Sequence, residues 1–372
     1  MPADLGAVNL SAYTTLQVGG PAREFVTASS REELINAVHD VWASNEELLV
    51  LGGGSNIVVS DEGFDGTVVK VESRGIEVIE ERVDDATVTL RVQAGEPWDD
   101  LVAHSVSRGL SGIEGLSGIP GSSGAGPIQN IGAYGQELSD SLVGIEFLDY
   151  LSGELEYLTA ADLELDYRTS VIKQGRAGVV ISIDLALAAT GDSLSQPIAY
   201  DQLAGALGVL LGDRVPLQTV RDTVIAVRAA KGMVLNPDDL DSVSAGSFFT
   251  NPIVGENFAR TLPEAAPRWL VEPEPAYLVV PLGFEPAVQP PRTDFRVKLS
   301  AAWLIERAGV SRGFSLPGSR AAISSKHTLA ITNRGGATAS EIGELARFVQ
   351  TRVFSEFGVR LHPEPVFVGD WV

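Results

Sequence analysis

Residues Gly112 to Gly135 read GIEGLSGIPGSSGAGPIQNIGAYG, and eight of these 24 positions are glycine. From Gly112 to Gly124 glycine falls at every third position. The period then stops, and Ile, Leu and Glu fill the other slots, so this is no collagen-like repeat. Such a backbone has to turn sharply and lie close to something, because glycine takes positive φ and carries no Cβ. Successive N–H groups in it form a concavity suited to phosphate oxygens. Ile113, Leu116, Ile119, Ile128 and Ile131 mark the stretch as buried rather than as a solvated loop.

A second glycine loop, LGGGSN at 51–56, lies between the apolar runs 48–51 and 57–59. Strand, glycine turn, strand is the expected form. Two such loops suggest one pyrophosphate held from two sides. Neither is a G-x-G-x-x-G opening a helix, and no G-x-x-x-x-G-K-[ST] occurs.

The 372 residues allow two or three domains. A net charge of −22 leaves no basic face for nucleic acid, and the global field opposes an anionic substrate unless Lys and Arg cluster locally. Without cysteine there is no disulfide, thiolate metal site or thiol catalysis. The histidines, His39, His104, His327 and His362, lack metal-ligand spacing, so no metal is expected. No run of about 18 apolar residues and no signal pattern is present, so no membrane contact and a cytoplasmic location are expected.

Along the chain, 24–27 reads as a strand. Ser30 and Glu33 frame a capping box, with Leu34, Ala37, Val38 and Val41 then at helical spacing. With the strand at 48 these form a βαβ unit. Segments 68–71, 76–80 and 87–94 alternate like strands of a second sheet, and 99–108 is helical. Segments 143–150, 153–158 and 179–187 are further strands, and 216–230 is a helix. Arg168, in LDYRTS, is either a surface salt-bridge donor or a functional cation. Ser247, in AGSFFTNP, stands between glycine and two phenylalanines, at a strand edge or at a reacting centre. Residues 259–293 hold eight prolines and read as a long irregular insertion. Segment 298–308 is an amphipathic helix with Leu299, Ala302, Trp303 and Ile305 as its stripe, and 340–356 is another helix. Glu364 lies between prolines, in a turn or in a fixed functional position.

LGGGSN, GIPGSSGAGPIQNIGAYG, DYRTS, GSFFTNP, KLSAAWLIE and LHPEP occur in this order. The set resembles the UDP-N-acetylenolpyruvoylglucosamine reductase family, from about Tyr13 to Val366. The resemblance implies an α+β chain: a two-part FAD-binding module of the vanillyl-alcohol oxidase type, then a C-terminal α+β substrate-binding domain. The expected divisions are 1–72, 73–232 and 233–361, with the tail 362–372 returning to the first. It implies non-covalent FAD, NADPH as reductant, UDP-N-acetylglucosamine enolpyruvate as substrate, and a monomer. Gly52, Gly53, Gly54, Ser55, Asn56, Ile119, Pro120, Gly121, Ser122, Ser123, Gly126 and Arg228 would hold FAD. Ser247 would donate a proton, with Arg168 and Glu364 beside the enolpyruvyl group. Tyr200, Lys231, Asn251 and Lys298 would hold the UDP-sugar, and Tyr200 marks the longer variety of the family. Two other readings remain at this point: a flavin oxidase or dehydrogenase on the same module, and a catalytically silent nucleotide-sugar binder.

Overall fold

Apolar residues in the first seventy positions build a small parallel sheet. The computed structural model describes residues 8–82, 86–189, 191–271 and 295–371. Strand β1 (Ala22–Ala28) leads to helix α1 (Arg31–Ser44), then β2 (Leu48–Leu51), β3 (Ile57–Val59) and β4 (Phe64–Val71). The Ser30 hydroxyl accepts the Glu33 N–H at 3.1 Å and caps α1. The Glu33 carboxylate accepts from Ser29 N–H rather than from Ser30, so the expected box is shifted by one residue. Leu34, Val38 and Val41 pack onto the sheet. Its order is β1-β4-β2, all parallel. Segment 68–71 therefore belongs to this first sheet and not to the second. As the central strand of a parallel sheet, β4 is covered on both faces, and Val68 and Val69 are fully buried.

Strand β3 leaves that sheet. It pairs in parallel with the last strand of the chain, residues 366–368, through Ile57↔Val366 and Val59↔Val368. The LGGGSN loop thus carries the chain from one sheet to another.

The second sheet is antiparallel. This part of the chain opens with β5 (Ile76–Arg82), β6 (Thr87–Gln93), helix α2 (Trp98–Ser107) and the two-residue strands β7 (Leu110–Ser111), β8 (Gly132–Ala133) and β9 (Gln136–Glu137). Then come β10 (Leu142–Asp149), β11 (Leu155–Thr159), β12 (Gly178–Ala189), α3 (Asp201–Leu207) and α4 (Leu217–Ala230). Strand β7 pairs with β12, while β8 and β9 pair only with each other in a small ladder of their own. The sheet's strand order is β11-β10-β12-β6-β5. Leu90, Ile145, Phe147 and Ile183 form its core with Trp98 and Leu101 of α2. The glycine-rich stretch runs mostly as turns. Ile113 and Leu116 are buried as expected, but Ile128 is 36% exposed, because its side chain faces a cavity.

The last third holds β13 (Ile253–Gly255), α5 (Glu256–Ala259), β14 (Arg268–Val271), β15 (Arg296–Leu299), α6 (Ala301–Arg307), β16 (Ala321–Ile323), β17 (Ile331–Asn333), α7 (Ala339–Phe357) and β18 (Val366–Val368). Strands β13, β15 and β14 form one antiparallel sheet. Lys298 therefore lies on a strand, and the expected helix 298–308 begins only at Ala301, where Ser300 caps it through Trp303 N–H. Of the expected stripe, Leu299 is on the strand and Ile305 is buried, whereas the other buried helix positions are Ala301 and Leu304 rather than Ala302 and Trp303. Within the expected insertion 259–293, residues 268–271 are strand β14; 272–293 lie outside the described residues. Helix α7 opens on a reciprocal Thr338/Glu341 capping box and stops at Gly358, whose φ is 67°. Its buried face, Ile342, Leu345, Ala346, Val349 and Val353, shares one core with Leu16, Val18, Val58, Phe248 and Phe249. Residues from both chain ends thus enclose the Ser247 segment.

Candidate active site

The two glycine loops meet face to face. A Cβ on Gly53 would stand 2.5 Å from Gly121 Cα, and one on Gly52 would collide with the Ser122 hydroxyl. Gly121 has φ 123°, which disfavours any other residue. The Ser55 hydroxyl donates to Pro120 C=O at 3.1 Å, and Lys70 Nζ donates to Gly52 C=O at 2.7 Å from behind. Asn56 Nδ2 donates to Gln129 Oε1 at 2.7 Å and to Glu364 C=O at 3.3 Å. One side chain thus ties the first loop to the second and to the tail.

Between the loops and the third part of the chain lies a cavity of about 390 Å³. Ser247, Arg168 and Glu364 line it, together with Lys173 and Arg228. Among the expected cofactor residues, Gly52, Gly53, Gly54, Ser55, Asn56, Ile119, Pro120, Gly121, Ser122, Gly126 and Arg228 all line it as well. Ser123 sits behind the lining, fully buried.

Arg228, in the last turn of α4, is 8% exposed. Its Nη2 donates to Met233 C=O at 3.0 Å, while its Nε has no partner among the described residues. Burial holds this guanidinium below its usual pKa, with Tyr134 and Asp99 acting against the shift. A buried cation with an unpaired donor, facing two glycine-rich loops, fits an anionic diphosphate.

Arg168 adopts φ 56°, a left-handed conformation unusual for arginine. Its Nη1 donates to Asn130 C=O at 3.0 Å and its Nη2 to Gly132 C=O at 2.6 Å. Its Nε lies 3.3 Å from Glu364 Oε1. The protein thus engages all three nitrogens of the fork. Glu364 is drawn to the site by backbone pairing: its N–H donates to Phe248 C=O at 2.9 Å, and Pro363 bridges to Phe249. Burial raises the Glu364 carboxyl pKa, against the pull of Arg168 and Lys173.

Ser247 Oγ lies 3.4 Å from His327 Nε2. Burial, with the nearby cations Lys231, Arg228 and Arg312, lowers His327 to about 4. The imidazole is therefore neutral at pH 7. Sequence reasoning passed over His327, and no pattern in SSKHTLAIT links it to a serine 80 residues away. Lys173 and Lys70 were also missed; no motif marks either one.

The four residues expected to hold a nucleotide sugar fall outside the cavity lining, in two groups. Tyr200 packs edge-on against Tyr134, ring centres 5.9 Å apart, and Lys231 lies 5.9 Å from the same Tyr134 ring while donating to Gln202. Asn251 Oδ1 accepts Ala301 N–H at 3.0 Å, and Lys298 Nζ stands 4.9 Å from the Tyr167 ring centre.

Comparison with known proteins decides the family. Residues 238–368 match the model of the UDP-N-acetylenolpyruvoylglucosamine reductase C-terminal domain, and residues 22–159 match that of an FAD-binding domain. A UDP-N-acetylenolpyruvoylglucosamine reductase of Leifsonia xyli subsp. xyli is 56% identical over 97% of this chain and 98% of its own. The chain belongs to the UDP-N-acetylenolpyruvoylglucosamine reductase family. The reductase of Thermobifida fusca is 49% identical over 97% of both chains. In structure, the UDP-N-acetylenolpyruvylglucosamine reductase of Thermus caldophilus superposes with a TM-score of 0.62 at 27% identity, covering 98% of each chain. The reductase fold is accordingly α+β, an FAD-binding module followed by the family's C-terminal domain. Its FAD-binding segment includes both glycine loops.

Proposed function

We propose that this cavity is where UDP-N-acetylglucosamine enolpyruvate is reduced to UDP-N-acetylmuramate, with Ser247 as proton donor. The chain is an FAD-dependent, NADPH-consuming oxidoreductase of peptidoglycan precursor synthesis. The observation that supports this reading most is the convergence of Ser247, Arg168 and Glu364, from three distant stretches, on a cavity walled by both glycine loops. FAD, when bound, takes up hydride from NADPH and supplies it to the terminal alkene carbon. The two loops and Arg228 would hold its diphosphate.

Negative charge then builds on the neighbouring substrate carbon and its carboxylate. The Arg168 guanidinium, fixed by Asn130 and Gly132, presents a positive field to that charge. Glu364, its pKa raised by burial, is suited to donate a hydrogen bond in its protonated form. Ser247 delivers the proton to the carbon from Oγ, and neutral His327 orients that hydroxyl. Tyr200 and Lys231 on one side, and Asn251 and Lys298 on the other, would hold the nucleotide sugar outside the cavity mouth. We assign 1–72 and 362–372 to the first cofactor subdomain, 73–232 to the second and 233–361 to the substrate domain. We further read the protein as a cytoplasmic monomer. Among the described residues no helix is long and apolar enough to cross a membrane.

FAD would be held without a covalent bond, since the chain has no cysteine and no histidine lines the cavity. Purified holoenzyme should be yellow and bleach with NADPH alone. Colour should return on adding the enolpyruvyl nucleotide without oxygen, with UDP-N-acetylmuramate formed. Rapid return of colour in air alone, with no product from the nucleotide, would indicate an oxidase instead.

A further inference from the structure

The site as described has a gap in its cation chemistry. An enolpyruvyl carboxylate needs hydrogen-bond donors, and the residue expected to clamp it, Arg168, has all three nitrogens engaged by Asn130, Gly132 and Glu364. Two of its five N–H groups remain, one on each terminal nitrogen, so the paired edge that grips a carboxylate is already partly occupied. A second cation stands in the same cavity. Lys173 lines it beside Arg168 and Glu364, and its ammonium donates no hydrogen bond and forms no ion pair among the described residues.

Lys173 is held there by local structure. Its N–H donates to the Ser170 hydroxyl at 3.2 Å, and that hydroxyl donates to Ile128 C=O at 2.6 Å. The turn carrying Lys173 is thereby fixed to the glycine-rich stretch. Lys173 is exposed, and it lines the cleft. The surrounding protein lowers its ammonium pKa, with Arg168 acting the same way and Glu364 opposing. Glu364 acts on this ammonium through space, without a hydrogen bond or a close ion pair.

The cations of the cleft divide into two groups. Arg228 and Lys231 are both felt by His327, and Lys231 feels Arg228, on the Tyr134–Tyr200 side. Arg168 and Lys173 are felt by Glu364. The proposed reading gives the first group to phosphates. The second stands beside Glu364, which the same reading puts at the enolpyruvyl group, where the ligand's anion is a carboxylate.

Resting on that reading, we infer that Lys173 donates to the substrate's enolpyruvyl carboxylate, as a catalytic residue separate from the Arg168–Glu364 pair. Arg168 supplies its positive field from the place where Asn130 and Gly132 hold it, and fixes Glu364. Lys173 carries the direct contact, which strengthens as charge moves onto the carboxylate.

The test uses holoenzyme without NADPH and two probes: UDP-N-acetylglucosamine enolpyruvate, and UDP-N-acetylglucosamine, which lacks the carboxylate. Affinities are read by calorimetry, and kcat and KM are measured separately. Lys173→Met should weaken binding of the enolpyruvyl nucleotide about ten- to a hundredfold. It should leave binding of UDP-N-acetylglucosamine and the KM for NADPH unchanged, and should lower kcat as well. Lys173→Arg should recover most of the loss. Equal weakening of both probes, a rise confined to the NADPH KM, or no change at all would overturn the inference. If wild-type holoenzyme does not turn over the enolpyruvyl nucleotide, the proposed function fails. If it does and Lys173→Met matches it, the Lys173 inference alone fails.

Discussion

Ser247 and His327 show what single side chains do here. Ser247 stands beside Phe248 and Phe249, both essentially fully buried, so water has poor access from that side. A Ser247→Ala holoenzyme should accept hydride from NADPH at the wild-type rate, because that step needs no proton from serine. Reaction with the enolpyruvyl nucleotide should slow by about 10² to 10⁴, the worth of a positioned acid. Stopped-flow absorbance on each half-reaction decides: equal slowing of both would mean Ser247 shapes the cofactor site, and no slowing would mean another donor. His327 also makes a stability prediction. Its pKa is about 4 in the folded protein, against an ordinary value of 6.5. Well above pH 6.5 both states are neutral and the contribution is constant. As pH falls toward 4 the unfolded chain takes up a proton that the folded chain refuses, so stability falls. His327→Gln should flatten this part of the curve, by about 2 to 3 kcal/mol between pH 8 and pH 4.5. Urea melts of both proteins at the two pH values test this, and parallel curves would refute it.

At the scale of elements, the contact between the glycine loops makes the sharpest prediction. Gly53→Ala places a methyl against Gly121 backbone, which no rotamer change can relieve. The loops must separate, and FAD affinity should fall at least about tenfold, which is about 1.4 kcal/mol. Fluorescence titration of apoprotein with FAD measures this; unchanged affinity would mean the loops do not grip the cofactor together. These loops were legible in the sequence because glycine spacing is local information. So were α1, α4 and α7, whose buried faces recur at helical spacing. Strand β4 was put in the wrong sheet because its partners, β1 and β2, are separated from it in sequence and a buried parallel strand shows no alternation to reveal them. The helix expected from Lys298 failed for a related reason: apolar residues at 299 and 301–305 straddle a strand and a helix, and only Ser300 marks the join. The left-handed Arg168 and the Ser247–His327 contact depend on tertiary context, and no window of sequence encodes them.

The whole molecule carries a net charge of −22, yet its cleft gathers Arg168, Lys173 and Arg228, with Lys231 near by. Both proposed substrates are polyanions. At long range they meet repulsion from the molecule's net charge, and at short range attraction from the cleft. The two ranges respond differently to salt. Raising ionic strength from about 10 mM to about 100 mM shortens the screening length from about 30 Å to about 10 Å. That change removes most of the distant repulsion but leaves cations inside a low-dielectric cleft largely unscreened. Encounter should therefore quicken, and kcat/KM for the enolpyruvyl nucleotide should rise over this interval. Toward 1 M, where the screening length is about 3 Å, the cleft attraction is screened too and kcat/KM should fall again. Initial rates at low substrate across a potassium chloride series test this directly. A steady fall from the lowest salt upward would show that the cleft field, not the acidic exterior, governs approach at every distance.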